Sequence, residues 1–220
     1  FNPDLPPLRL VSFADKARLL REQGVEWLHL VHFTHTFSQT TAEDFIHTIL
    51  HKELRARHIV TGANFTFGHK RGGNPALLKT CSTALGMDYT AVEIAGDAAA
   101  YSSTAIREAL AAGDLAAAAA ILGRPYRIRR RVVGGDKRGR ELGYPTANLP
   151  LGPLFCPRHG IYAVRVFREG STQPLPAVAS LGLRPMFQLT QPLLEVHLFD
   201  FDDDLYGERL AVEPVAYLRE

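Results

Sequence analysis

Asp114-Leu115-Ala116-Ala117-Ala118-Ala119-Ala120-Ile121-Leu122-Gly123-Arg124-Pro125-Tyr126-Arg127-Ile128-Arg129-Arg130-Arg131-Val132-Val133 joins two halves of different character. The Ala run is strong helix former, Gly-Arg-Pro stops it, and Arg127–Val133 then reads as a strand. Upstream, helical and strand-like stretches alternate. A helix over Lys16–Gln23 is closed by Gly24 and followed by an apolar strand, Val25–Phe33. Thr41–Leu54 is helical, His58–Gly62 a strand, Pro75–Leu85 a helix and Tyr89–Ile94 a strand, before two closing helices at Thr104–Leu110 and Asp114–Leu122. That order predicts a parallel α/β sheet. Downstream, Gly160–Phe167, Ala177–Leu181, Leu193–Phe201 and Arg209–Val215 read as further strands between Gly and Pro turns, which predicts a small antiparallel barrel. The boundary falls at Gly123-Arg124-Pro125, giving domains of 1–123 and 124–220.

The 220 residues carry 25 Lys and Arg against 23 Asp and Glu, a net charge of +2, with 46% hydrophobic and 22% charged residues. This excludes intrinsic disorder, and 18 Gly with 14 Pro exclude collagen-like and mucin-like chains. Apolar runs such as Leu115–Leu122 are shorter than the roughly 20 residues of a membrane span. Cys81 and Cys156 form neither a CxxC pair nor a metal spacing, which fits packed thiols in a reducing, cytoplasmic setting. The first residue is Phe rather than Met, so the sequence is expected to be a piece of a longer chain.

Charge is uneven. Arg124–Arg140 holds eight basic residues and one acid, a local +7 that leaves −5 for the remainder. Such an excess beside a Gly-rich loop suits phosphates or nucleic acid. His29, His32 and His35 imitate a ligand series, but in a strand residues three apart face opposite sides. Asp200, Asp202 and Asp204 imitate a calcium loop, yet Leu205 and Ala211 stand where its Gly and bidentate Glu belong, so a solvated hairpin tip is expected. The sequence has no GxxxxGK[ST] loop and no GxGxxG fingerprint.

The densest signal is Gly134-Gly135-Asp136-Lys137-Arg138-Gly139-Arg140-Glu141-Leu142-Gly143-Tyr144-Pro145-Thr146-Ala147-Asn148. Gly135, Gly139 and Gly143 let backbone N–H groups approach an anion, and Arg138 and Arg140 add positive charge. Thr146 and Asn148, two apart in extended chain, project to one side and offer the hard oxygen donors that Mg²⁺ takes. The same residues also suit a Gly-rich hairpin with a basic face.

This run resembles the GDxRGRxLGxPTAN signature of riboflavin kinase. The resemblance extends through Pro157–Val164, Leu181-Gly182-Leu183-Arg184-Pro185, Glu195–Phe201 and Asp204-Leu205-Tyr206-Gly207. The first half and Gly123-Arg124-Pro125-Tyr126 are similar to the FAD synthetase module to which bacterial riboflavin kinases are fused. It implies a nucleotidylyltransferase-like, Rossmann-like α/β domain followed by a β-barrel kinase domain. The implied reactions are phosphorylation of riboflavin to FMN with Mg-ATP and adenylylation of FMN to FAD by a second ATP. By this resemblance the Gly135–Gly143 loop covers the phosphates, Thr146 and Asn148 hold the metal, and Glu195 is the catalytic base. From the residues alone, Leu194, Val196 and Leu198 share one strand face, leaving Glu195 and His197 on the other. Met186 departs from the family's R-P-T after Arg184-Pro185.

In the first half, Gly62–Gly68 resembles the family's G-x-[DN]-F-x-F-G loop, which implies a flavin and nucleotide role for Asn64, Phe65, Phe67 and Gly68. Tyr101–Arg107 resembles the S-S-T-x-I-R motif of nucleotidylyltransferases. Physically, Ser103 or Thr104 suits a helix cap whose N-terminus favours anions, with Arg107 one turn in. The family's H-x-G-H element does not occur in this sequence; the resemblance places it upstream of Phe1-Asn2-Pro3, and a C-terminal helix beyond Glu220. The expected partners are riboflavin, FMN and ATP, without nucleic acid or membrane. Two other readings are a kinase whose adenylyltransferase half is inactive, and a basic nucleic-acid-binding module using Arg127, Arg129 and Arg131.

Overall fold

The computed structural model describes residues 7–93, 101–134, 145–184 and 189–220, the side chains of 184 and 189–191 apart. Compactness divides the chain into one unit of 1–26 with 99–220 and a second of 27–98. The first unit therefore carries, besides the strands, helix α1 (Phe13–Glu22) and the helices that precede the predicted boundary at Gly123.

In the second unit, α2 (His35–Ser38) and α3 (Ala42–Asp44) are capped by Thr34 and Thr41, whose hydroxyls accept from Phe37 and Asp44 N–H. The chain then continues as a π-helix, Phe45–Glu53, where an α-helix was predicted. The wider winding shows in the bond from Leu54 N–H to the Ile49 carbonyl, five residues back. Strands β1 (His58–Gly62) and β2 (Asp88–Val92) pair in parallel, His58 against Asp88, joined through α4 (Pro75–Ala84). Asn74 caps α4 and Pro75 occupies its first turn, where a missing N–H costs nothing. Ile46, Ile59, Phe67, Leu78, Met87 and Ala42 form the core.

The predicted strand Val25–Phe33 does not form: this stretch has no regular structure, and Trp27, Leu30 and Phe33 are exposed. An apolar run becomes a buried strand only where a neighbouring strand pairs with it, and the two described strands of this unit pair with each other. The strand premise used for His29, His32 and His35 fails with it; His35 opens α2 instead.

The first unit carries α5 (Ser103–Ala112), α6 (Leu115–Leu122) and six strands: β3 (Ile128–Arg131), β4 (Ala147–Pro150), β5 (Gly160–Arg168), β6 (Leu175–Arg184), β7 (Leu189–Leu198) and β8 (Arg209–Arg219). Their order is β3-β8-β5-β6-β7-β4, all antiparallel. The ends of this order meet, because Val133 N–H donates to the Asn148 carbonyl at 2.9 Å, so the sheet is nearly a closed barrel. Inward residues such as Leu149, Tyr162, Val166, Leu194, Val196 and Val212 form a core that also takes Ile106, Leu110 and Ala118 from α5 and α6. The buried Glu213 carboxylate is matched by Arg127 Nε at 2.7 Å and Arg165 Nη1 at 3.2 Å, as a desolvated charge requires. Asp200, Asp202 and Asp204 lie between β7 and β8, which are not neighbours, so the predicted hairpin tip is a crossing connection.

Candidate functional site

Strand β4 was not predicted; four residues ending in Pro are too short to show alternation, and Pro is tolerated at a sheet edge. Its pairing with β7 sets the site. Asn148 stands directly opposite Glu195, and Ala147 opposite Val196. Directly opposed residues of an antiparallel pair share one face with Cβ atoms roughly 4.5–5.5 Å apart. Ala147, Leu149, Leu194, Val196 and Leu198 are buried, whereas Thr146, Asn148, Glu195 and His197 are half-buried. His197 Nδ1 lies 3.0 Å from the Pro145 carbonyl, which brings the Pro145-Thr146 segment against the same stretch of β7. A carboxamide and a carboxylate thus meet across two strands, with Thr146 one residue before β4.

The Val133 to Asn148 bond pins the base of the Gly-rich stretch directly beside this group. Gly135, Arg138, Gly139, Arg140 and Gly143, with Pro185 and Met186, lie outside the described residues. The oxygen donors that Thr146 and Asn148 offer fit Mg²⁺, a hard ion that takes few protein ligands and keeps waters or substrate oxygens.

In α5 the cap is Ser102, a correction to Ser103 or Thr104. Ser102 is extended (φ −120°, ψ 150°) and its Oγ accepts from Ala105 N–H at 3.1 Å. Ser103 and Thr104 are the first two helical residues, exposed, with backbone N–H groups at the helix N-terminus. Arg107 lies one turn on, its Nε donating to the Leu8 carbonyl at 2.8 Å. That bond uses one of five guanidinium donors and leaves both terminal nitrogens.

In the second unit the loop after β1 is built on aromatic packing. Phe65 and Phe67 stack with centroids 5.4 Å apart, and Phe45 meets Phe67 at 5.5 Å. Phe67 is a core residue, while Asn64 is exposed. Gly68 has φ +73°, and a Cβ there would lie 2.7 Å from the Ala42 backbone nitrogen, so both conformation and space demand glycine. His69 fastens the loop, its N–H donating to the Thr40 carbonyl at 2.7 Å. His197 was not singled out from sequence as a site residue; its place two residues from Glu195 on one strand face was the available signal.

The riboflavin kinase family model matches residues 122–220, and the FAD synthetase model matches 1–105. A bifunctional riboflavin kinase/FMN adenylyltransferase of Escherichia coli (strain K12) is 41% identical over 213 residues, covering 96% of this chain and 68% of the relative. A protein of the same name from Haemophilus influenzae is 42% identical over 210 residues, covering 94% and 67%. A solved structure described as a macrolide-efflux protein from Streptococcus pneumoniae superposes with TM-score 0.80 at 35% identity, covering 96% of this chain and 68% of that one.

Proposed function

The chain belongs to the bifunctional riboflavin kinase/FMN adenylyltransferase family, and from that membership we propose how its residues divide the work. It phosphorylates riboflavin to FMN with ATP and Mg²⁺, and adenylylates FMN to FAD with a second ATP. The kinase is assigned to 124–220 and the adenylyltransferase to 1–123; the ranges of the two family models support this division.

The observation that carries the kinase assignment is the opposition of Asn148 and Glu195 across β4 and β7. Glu195 takes the proton of the riboflavin 5′-hydroxyl as that oxygen bonds to the γ-phosphorus, and the bond to the β-phosphate oxygen breaks to release ADP. Thr146 and Asn148 would hold the Mg²⁺, which when bound neutralises phosphate charge. Gly135, Gly139 and Gly143 with Arg138 and Arg140 cover the phosphates. In adenylyl transfer the FMN phosphate attacks the α-phosphorus of ATP and pyrophosphate leaves. Ser103, Thr104 and Arg107 bind that phosphate chain at the N-terminus of α5, and Asn64, Phe65, Phe67 and Gly68 form the flavin and nucleotide loop.

No described helix is long and apolar enough to cross a membrane. We place the enzyme in the cytoplasm, where its two free cysteines would stay reduced. We also propose that nucleic acid is not a partner: Arg127 and Arg129 are engaged by Glu213 and Asp15, and Arg131 by the Gly207 carbonyl, rather than forming a free basic stripe.

Incubating the full-length protein with riboflavin, ATP and Mg²⁺ and separating the products tests both activities. Glu195→Gln is expected to lower FMN formation by roughly 10²- to 10⁴-fold while leaving FAD formation from supplied FMN intact. Thr146→Ala and Asn148→Ala should raise the Mg-ATP concentration needed. Wild-type FMN turnover in Glu195→Gln would sink the base assignment.

A further inference from the structure

Apart from the site on β4 and β7, the first unit holds a cavity of about 180 Å³ between one face of α1 and the segment that enters β3. Asp15, Arg18, Leu19 and Glu22 line it from the helix with Val11 just before the cap, and Arg124, Pro125, Arg127 and Arg129 from the other side. The positions 15, 18, 19 and 22 fall on one helical face. Four guanidinium groups thus meet two carboxylates.

The carboxylates do not match the arginines one for one. Arg127 is taken by Glu213 at 2.7 Å, and Arg18 by Glu22 at 2.5 Å. Asp15 is shared, 3.3 Å from Arg129 and 3.9 Å from Arg18, and it also accepts a hydrogen bond from the Ser12 hydroxyl. Arg18 Nε is buried with no hydrogen-bond acceptor among the described residues, since the 3.9 Å to Asp15 is beyond hydrogen-bond reach. Arg124 donates to the Pro125 carbonyl and has no ion pair among the described residues. Burial, then the neighbouring Arg18 and Arg127 charges, hold the Arg124 guanidinium below its usual range. A buried donor without an acceptor and a crowded cation without an ion pair among the described residues are the condition a multiply charged anion relieves.

We propose that this cavity is a binding site for a small phosphate anion of the diphosphate class, held by Arg18, Arg124 and Arg129. Its volume is below the roughly 300–1,000 Å³ of pockets for drug-sized ligands, and its lining has no aromatic ring on which a base would stack. Phosphate groups, rather than a nucleoside, are what it recognises. Strand β3 runs from Arg129 directly toward the Gly-rich stretch, so an anion held here grips the strand that feeds the kinase loop.

The test is calorimetric titration of the full-length protein with inorganic pyrophosphate in EDTA and a phosphate-free buffer. Arg18→Gln and Arg124→Gln should each weaken one class of pyrophosphate site at least tenfold, leaving any site in the catalytic machinery. Glu22→Gln, which releases Arg18, should tighten the same class several-fold, a gain that lost folding does not produce. Competition by ATP at that class would identify a nucleotide's phosphate chain as the source, and competition by inorganic phosphate alone a simpler anion. Unchanged pyrophosphate affinity and stoichiometry in all three variants, or no pyrophosphate binding by the parent protein outside the catalytic sites, overturns the proposal.

Discussion

Tyr126 is 3% exposed where the chain enters β3, and its hydroxyl has no hydrogen-bond partner among the described residues. Burial raises its pKa, with the nearby Cys156 adding to the effect. Burial likewise pushes the Cys156 thiol up to about 11 and the Tyr162 hydroxyl up to about 12. All three are acids kept neutral by the fold, with ordinary unfolded values of roughly 8.5 for Cys and 10 for Tyr. Their contribution is therefore complete below about pH 8.5 and is lost as pH rises toward these folded values, because the unfolded chain ionises first. Tyr126→Phe removes an unsatisfied buried hydroxyl and one of these acids together. It should stabilise the protein by about 1 kcal/mol at pH 7 and flatten the loss of stability above pH 10. Urea unfolding at pH 7 and pH 10.5 measures both; destabilisation at pH 7 would mean that the hydroxyl has a partner in solution.

At the level of elements, periodicity read α4, β1, β5 and β8 to within a few residues, because each turns apolar side chains into one of the two cores; α1 was also read to within a few residues, though it buries none of its own. Val25–Phe33 failed for the converse reason: pairing, not composition, makes an apolar run a strand. At the site, Glu195 was placed on the correct face by simple alternation, yet its opposition to Asn148 depends on a register no local pattern contains. The cap of α5 shows the same limit, since Ser102, Ser103 and Thr104 are chemically alike and only the backbone decides among them. Ser102 closes the helix that contributes Ile106 and Leu110 to the barrel core. Ser102→Ala should accordingly cost about 1 kcal/mol, whereas Ser103→Ala and Thr104→Ala should stay within about 0.5 kcal/mol. Urea midpoints of the three variants decide it, and equal losses would reassign the cap.

On the scale of the whole molecule, the two compact units rest on unlike foundations. In the barrel unit, β5 is paired on both edges, by β6 and β8, and Val164 and Val166 are buried between them and the opposing strands. The second unit's described sheet has two strands, and a two-stranded sheet is marginal unless helices cover it. Leu78 of α4 and Ile46 of the π-helix supply that cover, but Val60 and Val92 remain 60% and 51% exposed. Burying a Val or Leu side chain contributes roughly 1.5–3 kcal/mol, so a core of Ala42, Ile46, Ile59, Phe67, Leu78 and Met87 sustains far less than the barrel's. Opening free energies should separate in the same order. In native-state hydrogen exchange of this 220-residue chain, amides of β1 and β2 are expected to exchange through openings several kcal/mol below those of β5 and β6, roughly the burial of two side chains. Low urea should lower the first group's protection before the second's. Equal protection for Ile59 and Val164 amides would show that the units open as one, and that the smaller core is not what limits the stability of the 27–98 unit.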